Sequence, residues 1–136
     1  MIDHEDKVFT IIATALRAEY GASNIYVAGE YVPQPPRFPA VMIEQMDNAV
    51  YERATDNGAI ENAATVMYQV DVYSNKNTGK KAQAKAIIAS IDRQFAQMRF
   101  IRTFLNPVPN MNDATIYRMT ARYRRMMTDQ DYFEEE

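Results

Sequence analysis

Apolar and polar side chains alternate along Ala114–Met127, which is the pattern of a β-strand with one buried face. Four residues share the side that we predict to be buried: Tyr117, Met119, Ala121 and Tyr123. The opposite side carries Arg118, Thr120, Arg122 and Arg124. Because successive side chains point to opposite faces of a strand, this segment predicts a sheet with one arginine-bearing face.

The remaining periodicity predicts a mixed fold. The expected elements, in chain order, are a helix at 4–19, strands at Asn24–Ala28, Ala40–Met46 and Ala63–Tyr73, a helix at 79–97, and strands at Phe100–Leu105 and Ala114–Met127. Asp3 is the expected cap of the first helix, and Asn77 or Thr78 that of the second. The order α-β-β-β-α-β-β predicts the α+β class, with a single mixed sheet and both amphipathic helices packed on one face.

Two connections stand out by composition. Tyr31–Pro39 contains four prolines, which exclude helix and central-strand structure. Asp47–Asn62 is polar and acidic around the turn signal Asp56-Asn57-Gly58, so it predicts a long hairpin arm, with a mobile loop as the alternative. We expect one domain over residues 1–128 and an acidic tail over 129–136.

The charge is divided along the chain. Among 136 residues with a net charge of −3, residues 76–125 hold eleven Lys/Arg and two Asp, a formal +9, and the remainder carries −12. Two complementary halves favour head-to-tail association of copies, and pairing within one copy is the alternative. Met42, Met46 and Met67 fall on the polar side of their predicted strands, which indicates that another subunit covers that side.

Candidate chemistry is sparse. The chain has no cysteine, and its single histidine, His4, is expected to be a solvated residue at the start of a helix. No ligand spacing for a metal, phosphate loop or dinucleotide fingerprint is present. Glu44 and Asp71 are expected to share the arginine-bearing face and to form ion pairs there rather than an acid–base pair. We therefore expect no enzyme, no catalytic residue, no metal and no cofactor.

Three segments together resemble a known family. They are Tyr31–Pro39, Tyr68–Lys81 and Arg102–Tyr123, and the resemblance extends over roughly residues 5–127. In this order and chain length they are similar to the tail terminator (tail completion, or neck) proteins of long-tailed bacteriophages and phage-tail-like particles.

This resemblance implies a structural virion protein at the junction of tail and head, present in the host cytoplasm during assembly. It implies a hexameric ring that caps the tail tube, ends its polymerisation and docks the head connector or stopper protein. DNA would pass through the channel without specific binding, and no membrane is involved. The expected subunit or tube interface residues are Tyr51, Glu52, Arg53, Asp56, Glu61, Glu44, Asp71, Arg118, Arg122 and Arg124.

Two other functions remain open at this point. A head-closure or adaptor ring of the same neck is the first. The second is an RNA-binding α+β module, which is disfavoured because Tyr117 and Tyr123 lie on the face opposite the arginines, so stacking and phosphate contacts would need different sides of the sheet.

Overall fold

Two helices lie on one face of a five-stranded sheet in the computed structural model, which describes residues 1–50, 63–109 and 115–128. The elements are α1 (Glu5–Tyr20), β1 (Tyr26–Ala28), β2 (Ala40–Val50), β3 (Ala64–Ser74), α2 (Lys80–Gln97), β4 (Ile101–Val108) and β5 (Tyr117–Met127). The predicted α+β class and element order are confirmed.

The sheet has the strand order β1-β2-β3-β5-β4. The short β1 is parallel to β2, and the other neighbours are antiparallel, so the sheet is mixed. At its centre Asp71 of β3 is paired with Met42 of β2 and with Thr120 of β5. This register places the alternating apolar residues of β3 and β5 on the side of the helices, as their period of two requires.

The core between helices and sheet is built around aromatic rings. Phe95 of α2 stacks on Tyr123 of β5 with ring centroids 4.1 Å apart, and Phe100 meets both Phe95 and Tyr68 edge-on. All four rings are buried. Tyr123 is on the side that strand alternation predicts to be buried, and its partner Tyr68 lies on the same side.

The proline-rich connector folds over the other face of the sheet. Ala40, Met42 and Tyr73 are buried there, and Val32 and Phe38 of the connector pack against them. The prediction that another subunit covers Met42 is therefore wrong, because the chain covers this residue itself.

Several boundaries differ from the predicted ones. β2 continues to Val50, which pairs with Ala64, so residues 47–50 belong to the sheet rather than to the arm. β4 continues through Pro107, past the predicted end at Leu105, because an edge strand can accept a residue without an N–H. β5 begins at Tyr117, three residues later than predicted. The rest of the predicted arm, 51–62, lies outside the described residues.

The helix starts also depart from expectation. Asp3 accepts a hydrogen bond from the Glu5 N–H at 3.0 Å, although the capping position itself is His4. His4 is not solvated, since it is 9% exposed and its Nε2 donates to the Thr128 carbonyl oxygen at 2.8 Å. The second helix starts after Gly79, a left-handed residue with φ 79°, and no side chain caps it. The predicted caps at Asn77 and Thr78 are wrong because glycine adopts this backbone conformation without a Cβ clash.

Candidate assembly interface

The face of the sheet that points away from the helices, here called the outer face, contains the predicted arginine residues. Its first part is the end covered by the proline-rich connector. Its second part is a polar network in the middle of β3 and β5. Its third part, which we call the open end, consists of Met67, Ile101, Arg124 and Met126.

Asp71 is the centre of the polar network. Its Oδ1 accepts hydrogen bonds from Arg118 Nε at 3.1 Å and from Thr120 Oγ1 at 2.5 Å, and Arg118 Nη2 lies 3.0 Å from the same oxygen. Its Oδ2 accepts a bond from Gln69 Nε2 at 3.0 Å. The side chains of Arg118 and Asp71 are only 27% and 13% exposed. The predicted ion pairing is confirmed for these two residues, which form their pair within the folded chain.

The other charged residues of the outer face do not form the expected ion pairs. Arg122 Nε donates to the Gln69 Oε1 at 3.0 Å, and its guanidinium lies 5.1 Å from the centre of the Phe104 ring. Within the described ranges Glu44 and Arg124 form no ion pair. Register explains this result, because Glu44 lies opposite the neutral Gln69 and Arg124 lies between Met67 and Ile101.

Apolar side chains surround Arg124 at the open end. Ile101 is 63% exposed, and Met126 is 52% exposed. Met67 pairs with Arg124 across β3 and β5. Exposed methionine and arginine side chains are typical of protein–protein contacts. Sequence reasoning missed Ile101 and Met126, although both are apolar residues at positions that face away from the core.

Five predicted interface residues, Tyr51, Glu52, Arg53, Asp56 and Glu61, lie outside the described residues. The strands on either side of them show where this segment starts and ends. Val50 pairs with Ala64, and Ala64 pairs with Met127 at the end of β5. The segment therefore leaves and rejoins the sheet next to the open end of the outer face.

The titration behaviour of the tyrosines reflects packing rather than a reactive site. Burial, with a smaller contribution from the Asp71 carboxylate, raises the pKa of Tyr73 to about 12. Burial also raises the pKa of Tyr68 and of Tyr123, as expected for phenols removed from water. Among the described residues no group of three acidic, His or Cys side chains could hold a metal ion, and neither helix is long and apolar enough to cross a membrane.

A comparison with solved structures finds the same fold in another protein. A chain from the virion of a native gene transfer agent (GTA) particle is similar, with 18% identity, a TM-score of 0.63, and coverage of 89% of this chain and 91% of that chain. At this identity the likeness establishes a shared fold. A search of curated proteins found no match.

The family follows from the sequence comparison. The family model described as Tail completion protein gp17 matches residues 10–132, so the chain belongs to this family. The resemblance noted in the sequence is thereby confirmed. Membership makes the chain a structural component of a phage-type tail.

Proposed function

We propose that copies of this chain form a ring that caps the tail tube, ends its polymerisation and docks the head connector, with a channel left open for DNA. The observation that carries the proposal is the open end of the outer face, where exposed Arg124 lies between Met67 and the exposed Ile101, close to the exposed Met126 on the same strand. Membership in the tail completion family and the fold shared with a virion chain support it.

The charge and geometry of the chain suit contacts between copies. The basic residues are concentrated in α2 and β5, whereas α1 begins with Glu5 and Asp6. A basic surface on one copy can therefore meet an acidic surface on the next, and such head-to-tail contacts close into a ring when the rotation permits. The segment 51–62 leaves the sheet beside the open end, so it is placed to contact the same neighbour or the tube.

The open end can be tested by reversing its central charge. We expect Arg124→Glu to keep the circular dichroism spectrum and thermal stability of the wild type, because its side chain is exposed and makes no ion pair among the described residues. Lys76→Glu makes the same charge change at an exposed turn that follows β3, at the opposite end of the strand from Met67, and serves as the matched control. The readout is electron microscopy of particles assembled with each variant.

Tails of irregular or excessive length with Arg124→Glu, and normal tails with Lys76→Glu, are the expected result. Normal tail length and normal head attachment with Arg124→Glu would contradict the proposed role of the open end. Tails of normal length that lack heads would instead indicate a head-closure or adaptor function, which distinguishes the two kinds of neck protein.

The arm can be tested separately. Residues 52–62 can be replaced by Asn-Gly, a two-residue hairpin turn, which leaves four residues between the paired Val50 and Ala64 and so keeps their register. We expect a folded protein that no longer limits tail length. A variant that still produces tails of normal length would show that the segment has no part in capping.

A further inference from the structure

A second surface lies on the other side of the sheet, between α2 and β4. These elements enclose an open groove of about 650 Å³. Its floor is apolar and includes Leu105, Pro107 and Met119. The groove exists because β4 is an edge strand with mostly exposed side chains, Leu105 being 37% exposed on the helix side.

The rim of this groove is basic. Among the described residues, Lys85, Arg93 and Arg102 line it, against a single acidic residue, Asp92. Arg102 Nη1 lies 3.0 Å from Asp92 Oδ1, and Arg93 has a longer contact of 3.5 Å with Glu19 outside the groove. Lys85 is exposed and forms no ion pair among the described residues. The rim therefore carries an excess of positive charge over an apolar floor.

The chain contains a segment with the complementary chemistry. Residues 129–136, which lie outside the described residues, read Asp-Gln-Asp-Tyr-Phe-Glu-Glu-Glu. Two adjacent aromatic residues, Tyr132 and Phe133, are flanked by five carboxylates. We propose that this segment of one copy docks in the α2–β4 groove of a second copy, with the aromatic rings on the floor and the carboxylates at the basic rim.

Reach decides between the same copy and a second one. The described chain ends at Thr128, one residue beyond β5. From there Phe133 is at most about 17 Å away when the chain is fully extended. Met119 on the groove floor lies nine positions back along β5, which is roughly 30 Å in strand geometry. Pro107 is paired with Met119, so both residues stay roughly 13 Å beyond an extended Phe133 of the same copy, more than the length of an aromatic side chain. Leu105, paired with Ala121 seven positions back, is about 23 Å away, at the limit of a fully extended segment. Only the segment of another copy can therefore fill the whole floor.

Disulfide trapping can test this arrangement because the chain has no native cysteine. Full-length Phe133→Cys is mixed with full-length Leu105→Cys, oxidised with copper phenanthroline, and examined on a non-reducing gel. Lys76→Cys, at an exposed turn outside the groove lining, replaces Leu105→Cys in the control mixture. We expect the crosslinked dimer to form several-fold faster with Leu105→Cys than with Lys76→Cys.

The rim provides a second comparison. Adding Lys85→Glu to the Leu105→Cys chain should reduce the yield several-fold, whereas Lys81→Glu, exposed on the same helix outside the groove lining, should leave it unchanged. Equal yields at positions 105 and 76, or no effect of Lys85→Glu, would overturn the proposal. Efficient formation of an intramolecular disulfide in a single chain that carries both cysteines would also overturn the proposal, because the segment would then dock in the groove of its own copy.

This inference rests on the proposed association of copies, and sedimentation of the same mixtures separates the two. Copies that associate without a specific crosslink at Leu105→Cys would contradict the docking of 129–136 alone. Copies that remain monomeric, both alone and with tail tubes, would contradict the ring as well.

Discussion

The ion pair between Arg118 and Asp71 gives the sharpest test of which arginines support the fold. We consider Arg118→Met, which keeps a long side chain but removes the guanidinium that contacts Asp71 Oδ1 through Nε at 3.1 Å and Nη2 at 3.0 Å. The carboxylate would keep its bonds from Thr120 and Gln69 and lose its only cationic partner among the described residues.

The expected cost follows from the burial of the pair. Exposed pairs contribute up to about 1 kcal/mol, and breaking a fully buried pair costs about 3–5 kcal/mol. With side chains 27% and 13% exposed, this pair lies between the two cases. We therefore expect Arg118→Met to lower the free energy of unfolding by about 2–3 kcal/mol, and the melting temperature by roughly 8–12 °C for a domain of this size.

The assay is urea unfolding at pH 7 followed by circular dichroism, with Arg124→Met as the matched control. Arg124 is exposed and outside the network, so its variant should stay within about 0.5 kcal/mol of the wild type. The double variant with Asp71→Asn should reveal a coupling energy of about 1–2 kcal/mol. Equal losses for the two arginine variants, or no coupling, would refute the assignment of Arg118 to the fold.

Three further outcomes are expected from the described core. Phe95→Ala should lower the free energy of unfolding, measured in urea, by about 3–5 kcal/mol, because it empties the centre of the aromatic cluster. A free energy of unfolding close to that of the wild type would refute this packing. Burial raises the pKa of Tyr73 to about 12. The neutral phenol therefore contributes at most about 2–3 kcal/mol to stability, and this contribution is fully present below about pH 10. It is lost as the pH rises toward 12, because the phenol then ionises. Tyr73→Phe should flatten the decline measured by alkaline unfolding, and Tyr31→Phe, at a side chain 56% exposed, should not. His4→Ala should lower stability by about 1 kcal/mol by removing the bond to Thr128, and an unchanged unfolding midpoint would contradict it.

Sequence periodicity predicted the sheet and its two faces because strand alternation is a local property. Tyr123 and Arg124 are neighbours in the chain, and their opposite positions follow from the geometry of one strand. The register between strands is not local. It depends on the bulges at Gln45/Asp47 and Arg102/Phe104, which composition alone does not reveal. Ion pairs were expected for both Asp71 and Glu44. Asp71 forms one with Arg118, whereas Glu44 lies opposite the neutral Gln69.

Long-range contacts account for the other differences. His4 reads as a solvated terminal residue, yet its ring reaches Thr128, 124 positions away in the chain. The connector at 31–39 reads as a spacer, yet Val32 and Phe38 pack over Met42. In both cases the residues are buried against a segment that is distant in the chain. The local sequence pattern does not predict such tertiary contacts, so it indicates solvent exposure instead.

The position of the connector determines which part of the sheet a partner can use. It covers the end of the outer face around Met42 and Tyr73, and in the middle the hydrogen bonds of Asp71 are made within the chain. To bind at either place, a partner would have to displace the connector or break the hydrogen bonds of Asp71, and so lose contacts that stabilise the monomer. Arg124 and Met126 at the open end require no such displacement, because they are exposed already. Of the predicted interface arginines in the part of the chain that the structure describes, Arg124 is therefore the residue whose change should alter assembly while leaving the fold intact.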